Sequence, residues 1–219
     1  MIRGDILLKV LLLLLLPFAG LGQGRTWEIA VAGGTVHNFR TPLLIEQHYA
    51  DNIELDAKYR TEPFSPPVYY DVRVSTWQDE KGWELKFTHH KLILDNLPPE
   101  VQRFSITEGF NLLTLICAWS FKGFAWSVGG GIVITHPEST IRQQLYPENK
   151  GIFNAGYYIS GPTLEAAMAK RYYFADRWFI LGEGRVTASY VGVPVANGEA
   201  KVSNIALHGL LGVGIKIVN

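Results

Sequence analysis

From Ile205 to Ile217 the chain alternates strictly. Ile205, Leu207, Gly209, Leu211, Val213, Ile215 and Ile217 fall on one side of an extended segment, and Ala206, His208, Gly212, Gly214 and Lys216 on the other. Successive side chains of a strand point to opposite faces. One face apolar throughout, against another bearing histidine, lysine and glycine, implies lipid outside and a polar interior inside. Seven more segments share this period, so strands are predicted at about 27–36, 67–77, 83–91, 103–118, 124–135, 156–171, 177–191 and 204–218.

The connections are short at 78–82, 120–123 and 175–177, and long at 37–66, 92–102, 136–155 and 192–203. Membrane barrels of the outer-membrane type have short periplasmic turns and longer outer loops. The expected fold is therefore all-β: a single eight-stranded antiparallel up-and-down transmembrane β-barrel with long extracellular loops. The segment Ile53 to Tyr59 also alternates; an even strand count makes it an extension of the first long loop. Trp27, Trp77, Trp83, Trp119 and Trp178 fall at the periplasmic rim of this topology, with only Trp126 deeper. Aromatic girdles account for such a distribution. Tyr69, Tyr70, Phe104, Tyr157, Tyr158 and Tyr190 are candidates for the outer girdle. A soluble lipocalin-like or sandwich fold is the alternative, with the apolar face turned inward.

Placing the apolar parity in lipid turns Asp71, Arg73 and Ser75 inward, with Glu84, Lys86, Thr88 and His90 from the next strand. A turn at Asp79 to Gly82 sets Asp71 opposite His90 and Ser75 opposite Lys86. Glu165, Glu183, Arg185, Thr187, Ser189 and His208 join the same interior, with Glu28 from the first strand; Glu165 is expected beside Glu183 or Arg185. Eight strands enclose a space that side chains just fill, so the expected interior is a plugged polar network of Arg73, Glu84, Lys86, Glu165, Glu183, Arg185 and His208.

The amino terminus adds a direction of export. Arg3 and Lys9, the apolar run Val10 to Leu16, and the small residues Ala19, Gly20 and Gly22 read as a signal peptide over 1–22, leaving 23–219 as one barrel domain. Without that segment, 18 basic and 19 acidic residues remain (20 less Arg3 and Lys9; 20 less Asp5). This balance offers no footprint for nucleic acid. Cys117 is the sole cysteine, which excludes an internal disulfide and a Cys-based zinc site.

With these patterns the chain resembles the small eight-stranded bacterial outer-membrane barrels, the group of OmpA-type and OmpX-type domains and the lipid A palmitoyltransferase. The resemblance implies a Gram-negative outer-membrane location, contact with outer-membrane lipid and lipopolysaccharide, and insertion by the assembly machinery, as a monomer. Such barrels usually end in an aromatic residue, whereas this chain ends Ile217, Val218, Asn219.

Candidate chemistry gathers at the outer rim, where all six histidines fall. Asp71 or Glu138 is placed to orient an imidazole, His90 or His136 to act as base, and Ser139 to attack, which is the minimum kit for hydrolysis or acyl transfer. His89 and His90 are adjacent and face opposite ways along a strand, so no metal site is expected, and no cofactor. The leading expectation is a structural or surface-interaction barrel. An outer-leaflet lipid hydrolase or acyltransferase is the alternative, and a narrow channel or ligand carrier a third.

Overall fold

The computed structural model describes residues 24–147, 151–152 and 154–217. The signal-peptide reading of 1–22 and the terminal residues Val218 and Asn219 lie outside them. Thirteen strands follow in order: β1 Thr26–Asn38, β2 Thr41–Gln47, β3 Ile53–Ala57, β4 Tyr59–Arg60, β5 Tyr70–Gln78, β6 Lys81–Leu94, β7 Val101–Phe121, β8 Phe124–Thr135, β9 Glu138–Ile141, β10 Gln144–Leu145, β11 Tyr158–Phe174, β12 Trp178–Val195 and β13 Gly198–Ile217. Eight of them close a ring in the order β1-β5-β6-β7-β8-β11-β12-β13, every neighbouring pair antiparallel, with β13 returning to β1. Closure leaves these strands no free edge at the level of the ring. The segment at 53–59 is not a ninth member: among the described residues β3 pairs with β2 alone, and β4 with β6.

The ring joins at one end through tight turns. Gln78 pairs with Lys81, Phe121 with Phe124 and Phe174 with Trp178, and Asp79, Lys122, Gly123, Ala175 and Asp176 take the positive φ that such turns demand. The first turn corrects the expected register. Asp79 and Glu80 alone form it, so Asp71 lies opposite Thr88 and Ser75 opposite Glu84. Gly82 had suggested a turn residue, but it belongs to β6, where a Cβ would come within 2.7 Å of the Trp77 ring. That glycine exists to let an indole lie across the strand.

The other end is built differently from the expected loops. The connection anticipated at 192–203 is continuous strand, because β12 and β13 run on to a two-residue turn at Ala196 and Asn197. β2 adds to the outer part of β13, and β3 to β2; on the far side β4 pairs with β6, and β9 with β7. These extensions enclose a dome above the ring. Leu43, Ile45, Leu92, Ile106, Phe110 and Ile141 are fully buried in its apolar core, which Val191, Val193 and Val195 share. Burial of this kind contributes about 1.5–3 kcal/mol for each large side chain. Arg142 ties the dome's parts together, donating to Gln47 Oε1 at 2.9 Å, to the Asp51 carbonyl at 2.8 Å and to Glu100 Oε1 at 3.1 Å.

Aromatic placement follows the ring with three corrections. Trp126 pairs directly with Trp119 and is no deeper than it. Trp77 turns inward and lines the cavity at the tight-turn end. Tyr69 and Phe104 are also buried, Tyr69 against His208 and Phe104 in the dome core, so neither belongs to an outer girdle; Tyr190 faces outward and is exposed.

Candidate functional site

Strand parity carries charge into the barrel. On β12 the odd-numbered residues point inward, so Phe179 and Leu181 are followed by Glu183 and Arg185, then Thr187 and Ser189, then the dome valines. The neighbouring strands repeat the layering. Near the tight turns, Phe179, Leu181, Ala30 and Ala169 form a small apolar cluster. Around and beyond it the buried interior holds five acids, Glu28, Asp71, Glu84, Glu165 and Glu183, and four bases, Arg73, Lys86, Arg171 and Arg185, among the described residues.

The two inner arginines share their carboxylates. Arg185 donates from Nη2 to Asp71 Oδ2 at 2.8 Å, from Nε to Glu183 Oε1 at 2.8 Å and from Nη1 to Thr88 Oγ1 at 2.7 Å. Arg73 donates from Nε to Asp71 Oδ1 at 2.8 Å and from Nη1 to Glu183. Lys86 Nζ lies 2.8 Å from Glu165 Oε1 and 3.2 Å from Glu84 Oε2, while Thr114 donates to the other oxygen of Glu165 at 3.2 Å. Glu165 stands opposite Thr187 in the register and meets Arg185 only diagonally, Nε to Oε1 being 3.6 Å. Closer to the tight turns, Arg171 bridges Glu28, at 3.2 Å, and Glu84. Each carboxylate thus meets at least one cation, which is the condition under which buried charge is tolerated.

Above the ions sits a layer of histidine, tyrosine and threonine side chains. His208 Nδ1 is 3.0 Å from the Tyr69 hydroxyl and its Nε2 is 2.9 Å from Thr187 Oγ1. The His90 ring packs edge-on against both Phe110 and His208, with centroids 5.1 and 5.5 Å apart. Neither nitrogen of His90 makes a hydrogen bond of normal geometry, although Asn204, whose Oδ1 is likewise unpaired, is its polar neighbour.

The candidate catalytic residues are not brought together. Asp71 is committed to Arg73, Arg185 and Thr88, and the register that would have set it opposite His90 is displaced by the tighter turn. Glu138 is ion-paired with Arg103 and accepts from Thr107 Oγ1 at 2.8 Å. Ser139 Oγ is buried without a hydrogen-bond partner, and His136 Nδ1 faces Glu108 at 4.0 Å rather than a serine. Ser139 pairs with Phe104 on β7 in the wall of the dome, an ordinary ladder position. Two features escaped the sequence pattern. Arg171, at the edge of an expected strand, is an interior cation, and the dome core has no signature separable from that of the membrane strands.

No protein-family model matches the chain, and no curated protein matches it. Solved structures do. Neisserial surface protein A is 9% identical, with 89% of this chain and 98% of that chain covered and a TM-score of 0.41. The outer membrane protein OprG from Pseudomonas aeruginosa is 12% identical, covering 90% and 97%, with a TM-score of 0.39. The outer membrane protein AlkL, solved in DMPC bilayers, is 10% identical, covering 89% and 90%, with a TM-score of 0.48. The barrel itself is established by this chain's own strand register.

Proposed function

We propose that this chain is an integral outer-membrane barrel with a closed polar interior, serving a structural or surface-interaction role through the dome it raises beyond the membrane. The observation that carries the reading is the change of outward residues along β13. Glu199, Lys201 and Ser203 face outward beside the dome, and Ile205, Leu207, Leu211 and Val213 face outward beside the ring, four large apolar residues left exposed. Tyr190, paired with Ser203, marks the border, and Trp178 marks the opposite one. Along a tilted strand at ~3.3 Å per residue these residues are roughly 30 Å apart in height, close to the apolar band of a membrane barrel. A soluble fold would have no reason to expose such a belt.

The closed interior argues against the channel alternative. Each carboxylate of the charged layer meets a cation and the dome core is apolar, so an ion would have to break several buried ion pairs to pass. Reconstitution into planar bilayers tests this directly. The reading expects no steady conductance above that of the bare membrane; stable, protein-dependent single-channel steps would overturn it. Fractionation tests location: the full chain should sediment with outer membranes and migrate anomalously on gels unless heated.

A further inference from the structure

On the outward face of the ring, where it meets the dome, lies a cavity of about 550 Å³ lined in part by Tyr70, Phe87, His89, Glu108, Asn111 and Tyr157. Strand register fixes its height. Tyr70 pairs with His89, His89 with Asn111 and Asn111 with Ile134, so one row crosses four adjacent strands. The next outward row towards the tight turns is Val72, Phe87, Leu113 and Ile132, entirely apolar. The cavity therefore opens at the level where the apolar wall gives way to polar groups.

Its polar side is held in place. His89 Nδ1 donates to Asn111 Oδ1 at 2.8 Å, and the Tyr70 ring lies parallel to the His89 ring with centroids 5.2 Å apart. Both His89 and Asn111 are more than nine-tenths buried, and His89 Nε2 makes no hydrogen bond of normal geometry. The β6–β7 ladder slips between His90 and Leu92, and Gly109 adopts φ +151, where a Cβ would come within 2.1 Å of Asn111 Nδ2. The bulge and the glycine thus make room for an amide that a regular strand would crowd. At the rim Glu108 offers an exposed carboxylate, with the buried His136 Nδ1 4.0 Å behind it.

We propose that this cavity binds the sugar headgroup of an outer-leaflet glycolipid, with the acyl chains lying along the apolar row beneath; the proposal rests on the membrane reading above. Flat aromatic faces, a fixed amide and a carboxylate match a ligand rich in hydroxyl donors with apolar ring faces. Among the described residues no lysine or arginine lines the cavity, and Glu108 opposes an anion, so the described lining favours a neutral ligand over a phosphate. A headgroup at this height, directly above a lipid-facing wall, is one carried by a lipid.

The test is native mass spectrometry of the full chain released from mixed micelles holding a neutral diglycosyl diacylglycerol and phosphatidylglycerol in equal amounts. Wild-type protein should retain one glycolipid through detergent exchange. Asn111→Leu and Glu108→Ala should each lower retention about fivefold, the loss of one good hydrogen bond, while Leu207→Ala on another wall leaves it unchanged. Glu108 is exposed, so its variant keeps the fold even if Asn111→Leu does not. Equal retention by wild type and Glu108→Ala, preference for the phospholipid, or capture of the free sugar with equal affinity would overturn the proposal. A chain that never sediments with outer membranes would instead fail the membrane reading.

Discussion

The ring and the dome are made of the same strands with opposite polarity. On β12 the inward face bears Glu183 and Arg185 in the ring and Val191, Val193 and Val195 in the dome, and on β13 the outward face changes from Leu207 and Ile205 to Lys201 and Glu199. The pleat never slips along β12, so parity alone does not decide which face is apolar. The surroundings decide it: beside the ring, the outward face contacts apolar solvent and the inner one must solve the problem of buried charge. Beside the dome, water lies outside and the ordinary rule of an apolar core returns.

The largest effect expected from that contrast is inside the ring. Arg185→Ala leaves Asp71 and Glu183 short of a cation in a buried layer, and should cost about 3–5 kcal/mol in urea unfolding of the refolded barrel. A loss well under 1 kcal/mol would mean that water already reaches the layer. In the dome, Leu92→Ala removes a fully buried side chain and should cost about 2–4 kcal/mol. Here the damage should be local: limited proteolysis should cut the dome segments 37–66 while the ring stays protected and heat-modifiable. Simultaneous loss of both would show that ring and dome unfold as one unit.

On the outward face the comparison is sharper still. Leu207→Arg should destabilise the barrel in vesicles by about 2–3 kcal/mol, whereas Lys201→Leu, three outward positions away on the same strand, should change stability by less than about 0.5 kcal/mol. Equal effects at the two positions would erase the border at Ser203. The smallest effect belongs to the dome surface, where Lys58 donates to Asp95 at 2.6 Å and holds its carboxyl below the usual aspartate range. A depressed folded pKa means that the contribution is present above the unfolded value and disappears as pH falls through the folded one. The dome of wild type should therefore lose slightly more protection below about pH 4 than Asp95→Asn, read by hydrogen exchange at the Lys58 and Asp95 amides.

The ring was legible because its pattern is redundant: eight alternating segments, tight turns and a shared interior parity all support one topology, and the interior positions of Glu165, Glu183, Arg185 and His208 follow from parity alone. Register within a hairpin was not, since moving one turn from 79–82 to 79–80 shifts every cross-strand partner by two while preserving each face. Asp71 consequently meets Thr88 instead of His90. The dome was hidden for a related reason. A run such as Val191 to Val195 reads the same whether its apolar side meets lipid or protein, and only the strands β2 and β3 folding onto β13 show which it is.

The central claim, that a single strand leaves lipid at Ser203 with its pleat unbroken, is tested most directly by a cysteine scan of the outward face of β13 in a Cys117→Ser background. Spin labels at 199, 201, 203, 207 and 211, in protein reconstituted into vesicles, are probed with oxygen and with a water-soluble nickel chelate. The account predicts chelate access at 199, 201 and 203 and oxygen access at 207 and 211; chelate access at 207 and 211 matching that at 199 would contradict it.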